Sequence, residues 1–264
     1  MQDLKVALAQ TTLHWEAPEA NREAFADRLQ ALQPDTDLVV LPEMFCTGFS
    51  MNAEAIAEDD AQDTLPWLKA LAARYDVAIT GSLAVREAGR CYNRLLFVTP
   101  DGEHASYDKR HLFTLSGEQH HYAAGTRRLV LHWRGWRICP MVCYDLRFPV
   151  WMRNRDGEHP DAYDLLLVVA NWPAKRRVHW RQLLVARAIE NQACCIGVNR
   201  VGRDGNELDY SGDSLAIAAD GRLILDCEDK DGLQYATLEA EPLLRYREKF
   251  RALGDADAFS LDLQ

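Results

Sequence analysis

Trp136-Arg137-Ile138-Cys139-Pro140-Met141-Val142-Cys143-Tyr144-Asp145-Leu146-Arg147-Phe148-Pro149 is the stretch on which the fold turns. Its first seven residues form a short, β-rich apolar run, which predicts a strand over Trp136–Val142. Polar residues follow at once, and Pro149 suits the first position of a helix, which the pattern places over Pro149–Arg155. Strand, polar turn and helix together make a βα unit. In open α/β sheets, sites gather at the C-terminal ends of strands, where loops converge and helix N-termini add positive potential.

The same alternation extends in both directions along the chain. Strands are expected at Val6–Gln10, Leu38–Leu41, Val77–Ser82, Arg94–Val98 and Leu129–His132. Further ones follow at Leu165–Ala170, Cys195–Asn199, Ser214–Ala218, Leu223–Leu225 and Gln234–Leu238. Helices are expected at Asn21–Leu32, Thr64–Tyr75, His179–Asn191 and near Pro242–Phe250. Within Trp180–Asn191, the stripe Leu183, Leu184, Ala188 and Ile189 reads as core. Asp101-Gly102 and Asp220-Gly221 sit where hairpin turns belong. Mixing βα units with hairpins implies an α/β protein with mixed sheets. No Pro/Gly/Ser linker, low-complexity tract or charge block divides the chain, so residues 1–264 are read as one domain, with a tail beyond about 252 that frays or crosses to a partner subunit.

Composition narrows the class of function. The chain has 264 residues, 48% hydrophobic and 27% charged, which rules out a disordered or fibrous protein. Thirty Lys+Arg against forty Asp+Glu give −10, which disfavours nucleic acid or an anionic membrane as a partner. No apolar run approaches the ~18 residues of a membrane span. The start, Met1-Gln2-Asp3-Leu4-Lys5, lacks the pattern of a signal peptide. Seven cysteines, an odd number without a Cys-x-x-Cys pair, point to a reducing cytoplasm and to a thiol worth examining for reactivity. His120-His121 is a poor metal site without further ligands, so neither metal nor cofactor is expected.

Three strand ends carry chemistry. Glu43 in Leu41-Pro42-Glu43-Met44-Phe45 leaves a strand among apolar neighbours, where burial suits a general acid or base. Lys109 in Tyr107-Asp108-Lys109-Arg110-His111-Leu112-Phe113 can place an ammonium beside a developing oxyanion. Cys143, read as lying just before a helix N-terminus, has the setting of a stabilised thiolate nucleophile; Cys139 is read as core. Each alone has an ordinary alternative: a capping glutamate, a solvated basic loop, an inert thiol.

In combination, Glu43, Lys109 and Cys143 resemble the catalytic triad of the nitrilase superfamily, the carbon–nitrogen hydrolases. Supporting motifs are Val6–Gln10 with Thr11, Cys143–Phe148, Asn171-Trp172-Pro173, Arg187-Ala188-Ile189-Glu190-Asn191 and Gly212-Asp213-Ser214. The resemblance runs from about residue 4 to about residue 250 and implies an α-β-β-α sandwich whose subunits pair, as a homodimer or larger. It implies Cys143 as nucleophile, Glu43 as general base, and Lys109 with the backbone N–H of Tyr144 as oxyanion donors. Glu118, in Gly117-Glu118-Gln119, matches a second family glutamate that orients the lysine, with a surface loop carboxylate as the alternative.

Leu41–Ser50, Lys109–Phe113 and Cys143–Trp151 further resemble the bacterial ω-amidases. That implies a small-molecule amide substrate, 2-oxoglutaramate or 2-oxosuccinamate, cleaved to acid and ammonia. The substrate's carboxylate needs a cation: Arg176, or Arg147 unless it instead pairs with Asp145 or a loop carbonyl. Phe45, Phe113 and Trp172 are expected as apolar walls. Another carboxylated amide, an N-carbamoyl compound, or a catalytically silent assembly protein remain alternatives.

Overall fold

The computed structural model describes residues 1–156, 159–257 and 259–261. Two mixed sheets lie face to face. The first runs Gly232–Leu238, Leu4–Gln10, Leu38–Val40, Ala78–Glu87, Arg90–Val98, His104–Asp108, with Glu58–Asp59 beside Ala78–Glu87. The second runs Leu223–Asp226, Leu215–Ile217, Cys194–Asn199, Leu165–Ala170, Trp136–Val142, Leu131–Trp133. Each sheet has a parallel centre flanked by antiparallel strands. The parallel strands of both sheets therefore end on the same kind of edge, and those ends bring the site together.

Side-chain alternation sorts the layers. Along Leu4–Gln10, Val6 and Leu8 enter a core shared with Ile138, Val142, Leu165, Leu167, Val169 and Ile196 of the other sheet. Ala7 and Ala9 face the opposite way, into a second core with Phe25 and Leu29 of the helix Pro18–Leu29 and Leu68, Leu71 and Ala72 of the helix Thr64–Tyr75. The outer face of the second sheet is covered by Trp180, Leu184 and Ala188 of the helix Arg177–Asn191 and by Leu243 of the helix Ala240–Lys249. Helices on both outer faces make an α-β-β-α sandwich, and strands covered on both faces read as unbroken apolar runs such as Leu165–Ala170. Gly197 lets the helix Arg177–Asn191 settle onto its sheet: a Cβ there would lie 2.4 Å from Leu184 Cδ1. Among the described residues, no helix is long and apolar enough to cross a membrane.

Three expectations change. Pro149–Arg155 is not a helix. Cys143–Arg147 forms a five-residue 3-10 turn, and a chain of turns follows. The adjacent side chains Trp151 and Met152 both enter the core, and the Met152 carbonyl accepts the Tyr163 hydroxyl at 2.5 Å, which removes it from any helical ladder. In the helix Arg177–Asn191, Ile189 is exposed, whereas Arg187 is buried and donates to the Leu146 carbonyl at 2.8 Å. The first helix starts earlier, at Pro18, because Asn21 turns inward and bonds the backbone of His14, Ala17 and Cys46. Of the tail, residues 258 and 262–264 lie outside the described residues. Before them the chain folds back, with Leu253 buried and its N–H donating to Gln192 Oε1.

The C-terminal helix is riveted by Asp164. Its side chain is 4% exposed and accepts Arg137 Nε and Nη2 (2.9 and 2.7 Å) and Arg247 Nη1 (2.6 Å). Burial works against its charge, but the hydrogen bonds and both guanidiniums prevail and hold the carboxyl below its ordinary range. A carboxyl depressed on folding contributes stability above its unfolded value of 3.8, lost as pH falls through the folded one. Asp164→Asn is expected to cost about 2 kcal/mol in urea unfolding at pH 7. The gap to the native protein should close as pH drops below that value, and an unchanged gap at acid pH would refute the linkage.

Candidate active site

Glu43 stands just beyond the strand Leu38–Val40, in a turn stitched to the neighbouring strand. Leu41 N–H donates to the Thr80 carbonyl, Met44 N–H to Ser82 Oγ and Phe45 N–H to the Ser82 carbonyl. Met44 sits at φ +44°, a left-handed conformation that turns the chain sharply and fixes the direction of its neighbour. The Glu43 carboxylate is fully buried and receives three donors. Oε1 accepts Asn93 Nδ2 at 2.8 Å and Lys109 Nζ at 3.0 Å, and Oε2 accepts Asn171 N–H at 2.8 Å.

Lys109 follows the strand His104–Asp108. Its N–H donates to the Asn93 carbonyl and its own carbonyl accepts Gly125 N–H, which fixes the backbone on both sides. Gly125 permits this approach, since a Cβ there would sit 2.1 Å from the Asp108 carbonyl oxygen. The ammonium, 1% exposed, lies 3.0 Å from Glu43 Oε1 and from both oxygens of Glu118, and 4.8 Å from the centre of the Phe49 ring. Burial disfavours its charge, yet Glu118 and Glu43 outweigh burial and hold it well above the ordinary lysine range. Glu118 is also fully buried, not the surface loop carboxylate of the alternative reading. Its Oε2 accepts Phe113 N–H as well, and burial raises its carboxyl although Lys109 pulls the other way.

Cys143 occupies the end of Trp136–Val142 at φ +46°, a conformation that only a surrounding framework holds for a residue with a Cβ. Asp145 supplies that framework. Its Oδ2 accepts Val142 N–H and the Tyr107 hydroxyl, and its Oδ1 accepts both the backbone N–H and Nδ1 of His111. The turn that carries the thiol is thereby tied to the segment that carries Lys109. The thiol lies 3.9 Å from the Asn171 carbonyl and faces a cavity. Its ionisation departs from expectation: no long helix begins here to stabilise a thiolate. Burial, then the Glu43 charge, push the thiol well above its ordinary range, and Lys109 offsets only part of this. These effects favour the protonated Cys143 thiol beside the Glu43 carboxylate over a free thiolate. Cys139 is core as expected, its thiol raised to about 12 by burial.

The cavity, about 600 Å³, has Cys143, Lys109 and Asn171 on its lining, and Tyr144 beside them. Arg147, Arg176, Phe113 and Trp172 line it too, as the sequence suggested. Arg147 does not pair with Asp145, whose oxygens are taken; its guanidinium lies 4.7 Å over Trp172 and hydrogen-bonds His179 Nδ1. Arg176 stacks 5.4 Å from the Phe113 ring. Phe45 is not a wall of this cavity. It packs into the helix-side core, edge-on to Phe25 and stacked on Trp67, because its strand turn points it away from the inter-sheet edge. Asn93 and the role of Asn171 went unread in the sequence. An asparagine inside an apolar strand run was the one available signal, since a polar amide there needs a partner.

Comparison with known proteins agrees with this geometry. A family model described as carbon-nitrogen hydrolase matches residues 5–248. The chain is 48% identical over 262 residues to the omega-amidase YafV of Yersinia enterocolitica, covering 99% of this chain and 100% of that one. It is 32% identical over 222 residues to the 2-oxoglutaramate amidase of Bacillus subtilis, covering 83% and 84%. The solved structure of a CN-hydrolase superfamily protein from Xanthomonas campestris superposes with a TM-score of 0.96 at 46% identity, covering 99% of this chain and all of that one. With a matching fold along its length and a Glu–Lys–Cys cluster at the strand ends, the chain belongs to the carbon–nitrogen hydrolases of the nitrilase superfamily, enzymes that hydrolyse carbon–nitrogen bonds other than peptide bonds.

Proposed function

We propose that the protein is a cytoplasmic ω-amidase that cleaves the terminal amide of small ω-amido 2-oxo acids, 2-oxoglutaramate or 2-oxosuccinamate, through a Cys143 thioester. One observation carries the reading: a buried ammonium, Lys109, bridges Glu43 and Glu118 at the floor of a cavity that exposes one thiol and two arginines. Full-length similarity to a protein named an omega-amidase supports the substrate class.

In this reading Cys143 Sγ attacks the amide carbon while Glu43 takes the thiol proton. A raised thiol requires that coupling, because little thiolate exists beforehand. Charge develops on the carbonyl oxygen and meets the Lys109 ammonium and the Tyr144 N–H. The carbon–nitrogen bond breaks as Glu43 returns the proton to nitrogen, releasing ammonia. Water then attacks the thioester and gives its proton to Glu43. The carbon–sulfur bond breaks, and the proton returns to sulfur. Glu118 holds Lys109 in place, and Arg176 and Arg147 receive the distal carboxylate, with Phe113 and Trp172 as walls. The protein works as a homodimer or larger assembly.

Purified protein should release ammonia from 2-oxoglutaramate, and Cys143→Ala should abolish release. Lys109→Ala should lower kcat at least about 10²- to 10³-fold. Activity on N-carbamoyl compounds alone would move the assignment to that substrate class. Glu43→Gln separates base from bystander. Removing the carboxylate charge lowers the thiol's ionisation point, so iodoacetamide should label Cys143 about tenfold faster per pKa unit released, measured at pH 7.5. Ammonia release should meanwhile collapse. Both rates falling together would contradict Glu43 as the group that keeps the thiol protonated. Arg176→Met or Arg147→Met should raise KM for 2-oxoglutaramate about 10- to 100-fold, the loss of a charge-assisted hydrogen bond, and leave KM for an uncharged amide such as propionamide in place.

A further inference from the structure

Asn93 is an anomaly in its strand. It lies in the middle of Arg90–Val98, fully buried, opposite Ala84 of the neighbouring strand. Its Oδ1 has no hydrogen-bond partner. A strand interior under no functional demand is filled by an apolar residue, since an orphaned buried acceptor costs about 1–3 kcal/mol. What the residue supplies is its other side-chain atom: Nδ2 donates to Glu43 Oε1 at 2.8 Å. Its backbone carbonyl also accepts Lys109 N–H at 3.0 Å. One residue therefore fixes both the carboxylate and the start of the lysine.

The two oxygens of Glu43 are not equivalent. Oε1 already receives two donors, Asn93 Nδ2 and the Lys109 ammonium. Oε2 receives the N–H of Asn171, whose carbonyl lies beside the Cys143 thiol, and that thiol itself interacts with the Glu43 carboxylate. We infer that Asn93 is a positioning residue that makes Oε1 the anchor of Glu43 and leaves Oε2, on the thiol side, as the oxygen that takes the proton. This rests on Glu43 acting as the base of the proposed amidase. Asn93 acts through Glu43 and not on the substrate, because it lies behind the carboxylate and off the cavity lining.

The groups that act electrostatically with Glu43 are the Lys109 ammonium, the Glu118 carboxylate, the Cys143 thiol and the Tyr122 and Tyr210 phenols. Among them the Asn93 donor is the neutral hydrogen bond that ties down Oε1, and its loss removes that tie. The test is the pH profile of kcat/KM for ammonia release from 2-oxoglutaramate by Asn93→Ala and the near-isosteric Asn93→Asp, with thermal unfolding run on both. Both variants should lose about 10- to 100-fold in kcat with KM within about twofold, the scale of a misdirected general base. The acid limb should move to higher pH, further for Asn93→Asp, which sets a second carboxylate against Oε1. An unmoved acid limb in the folded variants would overturn the inference, whatever happens to kcat, because a merely structural loss leaves the ionisation in place. Glu43→Gln distinguishes the two levels. If Glu43→Gln retains turnover, the base assignment itself fails. If Glu43→Gln is inactive and Asn93→Asp has the native profile and kcat, only the role of Asn93 fails.

Discussion

One ammonium holds the site together. Lys109 Nζ lies within 3.0 Å of Glu43 and Glu118, and all three side chains are almost completely removed from water. Burying a charge costs several kcal/mol unless partners replace the lost hydration, and removing one partner leaves the others uncompensated. The three segments bearing these residues must therefore close on one another, for the Lys109 ammonium has its ion-pair partners in Glu43 and Glu118. Burial, then the Glu43 charge, push the adjacent Cys143 thiol above its ordinary range, and Lys109 offsets part of this. A standing thiolate is exposed to oxidation and stray alkylation, and a protonated thiol is less so.

The sandwich supplies the rigidity that the cluster needs. Glu43 comes from the first sheet and Cys143 from the second, and the inter-sheet core sets their separation. Asn171, at the end of Leu165–Ala170, spans the gap: its N–H and Nδ2 hold Glu43, and its carbonyl meets the thiol. Asn199 in turn brackets Trp172 by accepting its N–H and donating to its carbonyl. Glu43 and Cys143 are thus held both by backbone groups and by short side chains of neighbouring segments. Asp145 does the same for the Cys143 turn from the side of Tyr107 and His111.

Much of this could be read from the residues. Mixed sheets follow from apolar strands alternating with amphipathic helices, the layering is implied by the family resemblance, and Trp136–Val142, Leu165–Ala170 and Thr64–Tyr75 have the bounds that their patterns give. Glu43, Lys109 and Cys143 stood out because each is a chemically capable residue at a strand end. Pro149–Arg155 misled because Pro at a first helical position is a local signal, and buried Trp151 and Met152 overrode it. Ile189 and Arg187 exchanged places for a similar reason. Periodicity ranks residues by hydrophobicity, but the Leu146 carbonyl needed a donor where Arg187 stands.

The sequence by itself determined the α/β class of fold, which depends on residue type and short-range spacing, and singled out Glu43, Lys109 and Cys143 as candidates. Only the tertiary structure decided what those groups are in relation to one another. It made Cys143 a thiol where a strand-to-helix reading made it a thiolate, and moved Phe45 from the pocket into a core. It also turned Asn93, silent in the sequence, into a partner of Glu43. The physical reason is that ionisation and hydrogen bonding depend on distance and burial, and Glu43 and Asn93, fifty residues apart along the chain, meet at 2.8 Å only when the sheet has formed.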